Sequence, residues 1–187
     1  PIDDRSVERM DPAVAGRPDL MQGRTKLRAY PGGVGMAENV FINVKNRSHA
    51  ITAELEIPKA GADGVIMAQG GRFGGWSLYV KEGKPTFAYN WLGVERYRIA
   101  AEGRLPEGKV VLRYEFAYDG GKRGAGGTGT VLVNGAKVAE GRIEKTIPNI
   151  ISVDETANVG VDEETPVTDD YKERANKFTR SEERRVG

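Results

Sequence analysis

The sequence predicts an all-β chain, a two-sheet antiparallel sandwich of jelly-roll or concanavalin/lectin-like type with an irregular N-terminal arm. Three observations carry this expectation. Apolar and polar residues alternate with period two over several short segments, and turn residues separate those segments. No window of comparable length repeats with the 3.6-residue period of a helix. The densest pattern, Ala68–Tyr97, holds both tryptophans, Trp76 and Trp91. There Trp76, Leu78 and Val80 share one side of an extended run, with Ser77 and Tyr79 on the other. After the turn Glu82-Gly83-Lys84-Pro85, Phe87, Tyr89 and Trp91 fall on one side again, which reads as a β-hairpin seeding the core.

The remaining elements follow in order. Pro1–Arg24 mixes charges of both signs with Pro12, Gly16 and Pro18 and reads as an arm, with a short helical turn near Ser6–Met10. Lys26–Tyr30 and Val40–Val44 read as short strands, the first ending at Pro31-Gly32-Gly33. Ala50–Ile57 alternates cleanly, with Ile51, Ala53, Leu55 and Ile57 inward and Thr52, Glu54 and Glu56 outward. Val65–Gln69 reads as a central strand, and Arg96–Ala100 adds Tyr97 and Ile99. Lys109–Tyr118 puts Val110, Leu112, Tyr114 and Phe116 on one face. Thr130–Val133 and Lys137–Ile143 flank Asn134-Gly135, the preferred pair for a two-residue type I′ turn. Beyond Thr146 the alternation fades and acids accumulate, from Asp154 to Asp170, as in a long ordered loop or solvated edge.

Composition narrows the chemistry. The chain has 187 residues, enough for one sandwich core, and a formal net charge of +1 from 28 basic and 27 acidic side chains. That balance gives no electrostatic reason to expect nucleic acid or an anionic membrane as partner. The absence of cysteine excludes disulfides, thiolate metal sites and cysteine nucleophiles. His49 is the single histidine, so no multi-histidine metal site exists, and it reads as a hydrogen-bonding residue at a sheet corner. The run Gly124–Val131 has the letters of a dinucleotide fingerprint, but Thr130–Val133 after it reads as a strand rather than a helix. A flexible connection between antiparallel strands explains its glycines.

Two sharper readings concern acids and aromatics. No strand carries paired carboxylates on an inner face, as a glycosidase needs. The cluster Asp154–Asp170 lacks the spacing of a recognised calcium loop and reads as solvated, with a structural calcium site as the alternative. Phe73, Trp76, Tyr79, Trp91 and Tyr97 are either core or, with Arg72 and Asn90, the lining of a shallow saccharide groove. Arg72, Phe73, Trp76, Asn90 and Trp91 are therefore the candidate substrate-facing or interdomain residues.

A longer pattern joins these segments. The strings Asn43–Pro58, Ala68–Tyr79, Tyr89–Tyr97, Arg113–Gly121, Val133–Thr146 and Thr165–Tyr171 together resemble the C-terminal region of long bacterial arylsulfatases. The arm Asp3–Met21 resembles the segment that joins that region to the catalytic domain. The resemblance implies a parent that hydrolyses sulfate esters with a formylglycine and a divalent cation, usually calcium, both in an N-terminal sulfatase domain. It places no catalytic, cofactor or metal residue in this chain, which lacks the C/S-x-P-S-R motif. Residues 1–36 then form the joining arm and first short strand, and 37–179 the sandwich. The expected partners are the missing sulfatase domain and a sulfated saccharide or aryl sulfate; the resemblance is compatible with a periplasmic or secreted bacterial setting, which the residues themselves do not specify. Arg180–Gly187 departs from the family pattern, reads like a translated sequencing adapter, and stands where a final strand is expected. Loss of that strand forfeits roughly 5–8 kcal/mol of burial, so a marginal, aggregation-prone fragment is expected.

Overall fold

A computed structural model describes Leu20, Met21 and residues 23–179. The expectations for Ser6–Met10, most of the joining arm and the tail 180–187 lie outside the described residues. Among the described residues nine strands follow in order: β1 (His49–Ile57), β2 (Gly64–Gly71), β3 (Gly74–Lys81), β4 (Lys84–Trp91) and β5 (Glu95–Ala100). After these come β6 (Gly108–Tyr118), β7 (Ala125–Val133), β8 (Ala136–Lys145) and β9 (Ala157–Val159). They form two antiparallel sheets, ordered β1-β6-β7-β8 and β5-β4-β3-β2-β9. The expected two-sheet antiparallel sandwich is the fold.

The alternating segments sit where their patterns put them. Along β6, Val110, Leu112, Tyr114 and Phe116 are buried while Lys109, Val111 and Glu115 are exposed. The aromatic hairpin pairs Trp76 with Tyr89 and Leu78 with Phe87 across β3 and β4. Asn134 (φ 50°) and Gly135 (φ 83°) both take the left-handed conformation, as a type I′ turn between β7 and β8 requires. Between the sheets, Phe87 stacks on Tyr114 with centroids 3.5 Å apart and planes at 8°, which ties the two layers at the centre of the core.

Four expectations are corrected. Lys26–Tyr30 is irregular, and Val40–Val44 is not a strand. Instead Glu38–Val40 forms a 3-10 turn, and Phe41 drops into the core beside Trp76, ring centroids 6.2 Å apart. Local side-chain bonds win there over strand pairing: Asn43 Oδ1 accepts the Lys45 N–H at 2.9 Å, and the Glu38 carboxylate accepts Lys45 Nζ and, at 2.9 Å, the Ile151 N–H.

From Ala125 onward the glycine run belongs to strand β7 and is no loop; Gly124 (φ 71°) alone is in the turn before it. A Cβ at Gly127 would overlap Phe116, and one at Gly129 would meet Ile99 Cδ1 at 2.6 Å and the Tyr114 hydroxyl at 2.7 Å. Side chains of the neighbouring strand β6 at Gly127, and the opposite layer as well at Gly129, rather than turning, explain these two glycines. Fourth, of the two readings of the acidic segment, the long ordered loop holds and the solvated edge does not. The segment contains β9 and then folds as a strap over the outer face of the five-stranded sheet, where Val167 packs with Val65, Ala68, Tyr79 and Ala88.

That strap decides what the sheet exposes. β2, β3 and β4 are buried on both faces, so Tyr79 is 1% exposed although its neighbours Leu78 and Val80 point into the inner core. Gly64 meets the strap so closely that an added Cβ would lie 2.6 Å from the Lys177 carbonyl carbon.

Candidate functional site

Two hairpin tips at one end of the five-stranded sheet lie side by side. The first joins β2 to β3 through Arg72 and Phe73, and the second joins β4 to β5 through Leu92, Gly93 and Val94. A Cβ added at Gly93 would lie 3.1 Å from the Arg72 carbonyl oxygen and 3.7 Å from Phe73 Cα. Leu92 (φ 55°) and Gly93 (φ 72°) are both left-handed, which makes this turn tight enough to reach its neighbour.

Asn90 holds the tips together. Its Nδ2 donates to the carbonyls of Gly71 and Arg72, each at 2.9 Å, and its Oδ1 accepts the Gly93 N–H at 2.9 Å. The Arg72 N–H also donates to Thr165 Oγ1 at 2.8 Å, so the strap braces the first tip from behind. The apolar side chains on this frame point away from the protein: Phe73 is 75% exposed, Val94 74% and Leu92 46%. Arg72 is exposed beside them.

The five candidates separate on this geometry. Arg72 and Phe73 are on the surface, and Trp91 is half-buried just below it. Lys145 Nζ sits 4.7 Å from the centre of the Trp91 ring and donates to Glu95 Oε1 at 2.5 Å. That bond, with a second from the Tyr97 hydroxyl at 2.5 Å, holds the Glu95 carboxyl below the usual carboxylate range.

Trp76 and Asn90 are both buried, Trp76 in the inner core and Asn90 under the two turns, which corrects the groove reading for both. Trp76 is 2% exposed, donates from Nε1 to Gln69 Oε1 at 3.0 Å and lies between Phe41 and Phe87. Asn90 has no exposed surface and is spent on the turns. Tyr79 is likewise covered by the strap, and Tyr97 is half-buried. Leu92 and Val94 complete the surface cluster and were not singled out from the sequence. Their position beside Phe73 depends on how the two turns meet, although two apolar residues in one glycine turn were a legible signal.

The acids of the strap do not converge. Among the described residues no three His, Asp or Glu side chains gather as a metal site would need. Asp170 accepts the Tyr79 hydroxyl and, at 2.7 Å, Arg98 Nε. Burial opposes its ionisation, but those two bonds outweigh burial and leave its carboxyl below the usual range. Glu164 accepts from Thr156 Oγ1 at 2.7 Å and Asn158 Nδ2 at 2.9 Å, and Glu155 accepts from Thr165.

Asp162 is the most deeply set of these acids, with no exposed surface. Its Oδ2 accepts the Tyr171 hydroxyl at 2.6 Å and the Val167 N–H at 3.2 Å, while Oδ1 has no partner. Burial raises its pKa to about 6, with Glu164 and Glu155 adding to the shift against those two hydrogen bonds. His49 opens β1 with its ring against Phe116, 5.4 Å between centroids, and Nδ1 3.2 Å from the Arg47 carbonyl. Burial lowers its pKa, with a smaller Coulombic contribution from Arg47 in the same direction.

No protein-family model and no curated protein matches the chain. Among solved structures, it is similar to the native heptameric SAP-like pentraxin from Limulus polyphemus, at 15% identity and a TM-score of 0.43. That likeness covers 72% of this chain and 61% of the pentraxin chain.

Proposed function

We propose that this chain is a non-catalytic sandwich of an arylsulfatase-like enzyme, docking through its paired hairpin tips on the sulfatase domain and shaping the substrate entrance. The observation that carries the proposal is the set Phe73, Leu92 and Val94, exposed on turns that the buried Asn90 fixes in place. Apolar side chains held rigidly in water favour a protein surface, because the entropy of ordering them is already lost before contact. The family resemblance of Asn43–Pro58, Ala68–Tyr79 and Tyr89–Tyr97 supplies the identity of the partner, and two of these strings contribute the tips. In this reading sulfate-ester hydrolysis, with its formylglycine and calcium, belongs to the partner domain. Arg72, beside Phe73 at the rim, would meet the anionic group of an entering substrate.

The test is co-expression with the catalytic domain of a long arylsulfatase of the resembled family. The wild-type chain is expected to co-purify and to change kcat/KM toward an aryl sulfate, whereas a Phe73→Ser/Val94→Ser double variant releases the partner. Failure of the wild-type chain to co-purify overturns the proposal.

A second reading rests on Arg72 and Phe73 together: a cation next to an exposed ring suits a sulfated saccharide. Calorimetric titration of the chain with sulfated and desulfated polysaccharide separates the two. Binding of the sulfated form alone, abolished by Phe73→Ser, favours recruitment of saccharide over domain docking.

A further inference from the structure

A sandwich of two open sheets has four edge strands, and each edge presents unpaired amides unless something blunts it. Three of the four are blunted here. β8 carries Lys137, Glu140, Arg142, Glu144 and Lys145 and borders an irregularity in register at Val131/Leu132. β5 is flanked by the ion pairs Arg98–Asp170 at 2.7 Å, Lys145–Glu95 at 2.5 Å and Arg96–Asp169 at 3.6 Å. β9 has three residues, and Met36 exchanges both backbone hydrogen bonds with Ala157 beside it.

β1 differs. Its nine residues contain no proline, lysine or bulge, its two charged side chains, Glu54 and Glu56, make no ion pair among the described residues, and its ladder to β6 runs unbroken from His49↔Phe116 to Ile57↔Gly108. The core-facing Ile51, Ala53 and Leu55 stay half-buried, whereas Leu112 and Tyr114 beside them on β6 are fully buried.

The direction of the free amides follows from β6. Val111 turns toward β7, where its N–H donates to Asn134 Oδ1 and its carbonyl accepts the Asn134 N–H, both at 2.8 Å. Its partner Glu54 therefore points its own amide away from β6, and with it, by alternation, Ala50, Thr52 and Glu56. Among the described residues no backbone hydrogen bond reaches these four amides from the open side.

We infer that this edge pairs with the same edge of a second copy of the chain, antiparallel about a two-fold axis through Ala53. That register sets Thr52 opposite Glu54, Ala50 opposite Glu56 and Ile51 opposite Leu55 of the second copy. All four outward amides on each strand find partners, and the half-buried Ile51 and Leu55 gain apolar neighbours. No carboxylate stands directly opposite another; the two Glu54 are diagonal neighbours. Sliding the register by two residues in one direction would set Glu54 directly against its own copy, so like-charge repulsion disfavours that slip. In the other direction the slip avoids repulsion but leaves Glu56 opposite no residue of the strand. The contact is self-complementary, and it closes as a dimer, joining two four-stranded sheets into one continuous sheet.

The chain has no cysteine, so one introduced thiol reports the register directly. Ala53→Cys places two thiols opposite each other, and mild oxidation is expected to give a disulfide-linked dimer. Ala50→Cys places them about 20 Å apart at ~3.4 Å per residue, and is expected to stay unlinked. Sedimentation of the unmodified chain at about 100 µM is expected to show a dimer. Thr52→Pro, which removes an outward N–H and the hydroxyl that accepts Arg113 Nη1 at 2.8 Å, is expected to give a folded monomer. An unmodified chain that is monomeric at that concentration overturns the inference, as does equal cross-linking at positions 50 and 53 or a folded Thr52→Pro dimer. Where Thr52→Pro does not fold, the two cysteine variants decide.

Discussion

Asn90 shows how one buried side chain can set the form of a surface. Its carboxamide satisfies the carbonyls of Gly71 and Arg72 and the N–H of Gly93, three backbone groups from two turns that do not otherwise pair. Asn90→Ala would remove these three bonds and is expected to cost about 2–4 kcal/mol. The loss should appear as a lower urea midpoint with unchanged slope. A midpoint indistinguishable from that of the parent would show that the turns hold without it. In sequence, Asn90 was legible as polar and next to a tryptophan, which suggested a ligand. Its actual partners lie on a different hairpin, and no local spacing reveals them.

At the scale of elements, β7 carries the clearest physical constraint. Gly129 pairs with Gly141 of β8, and Ile99 of the opposite sheet fills the space that their missing side chains leave. Ile99 Cδ1 lies 2.6 Å from the Cβ position at Gly129, and its Cγ1 lies 2.8 Å from that at Gly141. Gly129→Ala is therefore expected to destabilise the chain by about 1–3 kcal/mol through overpacking. Ile99→Val, which removes Cδ1, should recover part of that loss in the double variant, and the thermal midpoints of the four chains measure the coupling. Additive effects would mean that Ile99 is not what the glycines accommodate. The glycine run looked like a loop because glycine is the usual turn residue. The competing cause, close approach across the sandwich, comes from a strand far away in the chain.

The strap acts on the molecule as a whole, since it turns a sheet with one buried face into a sheet with two. It is knotted at Asp162, whose main chain pairs with the Asn176 carboxamide at 2.9 Å in both directions and whose carboxylate takes Tyr171 and Val167. Burial raises the pKa of that carboxyl from 3.8 to about 6. Between those values the folded chain keeps a proton that the unfolded chain has released, so this group makes stability fall as pH rises through the window. Above the window the cost is complete, about 3 kcal/mol. Asp170, Glu95 and Asp119, whose carboxyls lie below their usual range, act in the opposite sense at lower pH. The difference between parent and Asp162→Asn therefore isolates the effect: the stability gap should widen in favour of the variant from about pH 4 to pH 6. A gap that stays flat over this range would assign the charge no such cost.

By itself the sequence determined which segments are strands and which side of each faces inward, wherever the pattern was local. Period-two alternation in β1 and β6, the aromatic hairpin β3–β4 and the Asn134-Gly135 turn needed no knowledge of neighbours. Only the tertiary structure decided which second faces are covered. Strand geometry turns Tyr79 and Asn90 away from the inner core, and the strap and neighbouring turns bury them there. The reason is that a strand dictates the direction of its side chains, while water is excluded by whatever part of the chain arrives on top of them.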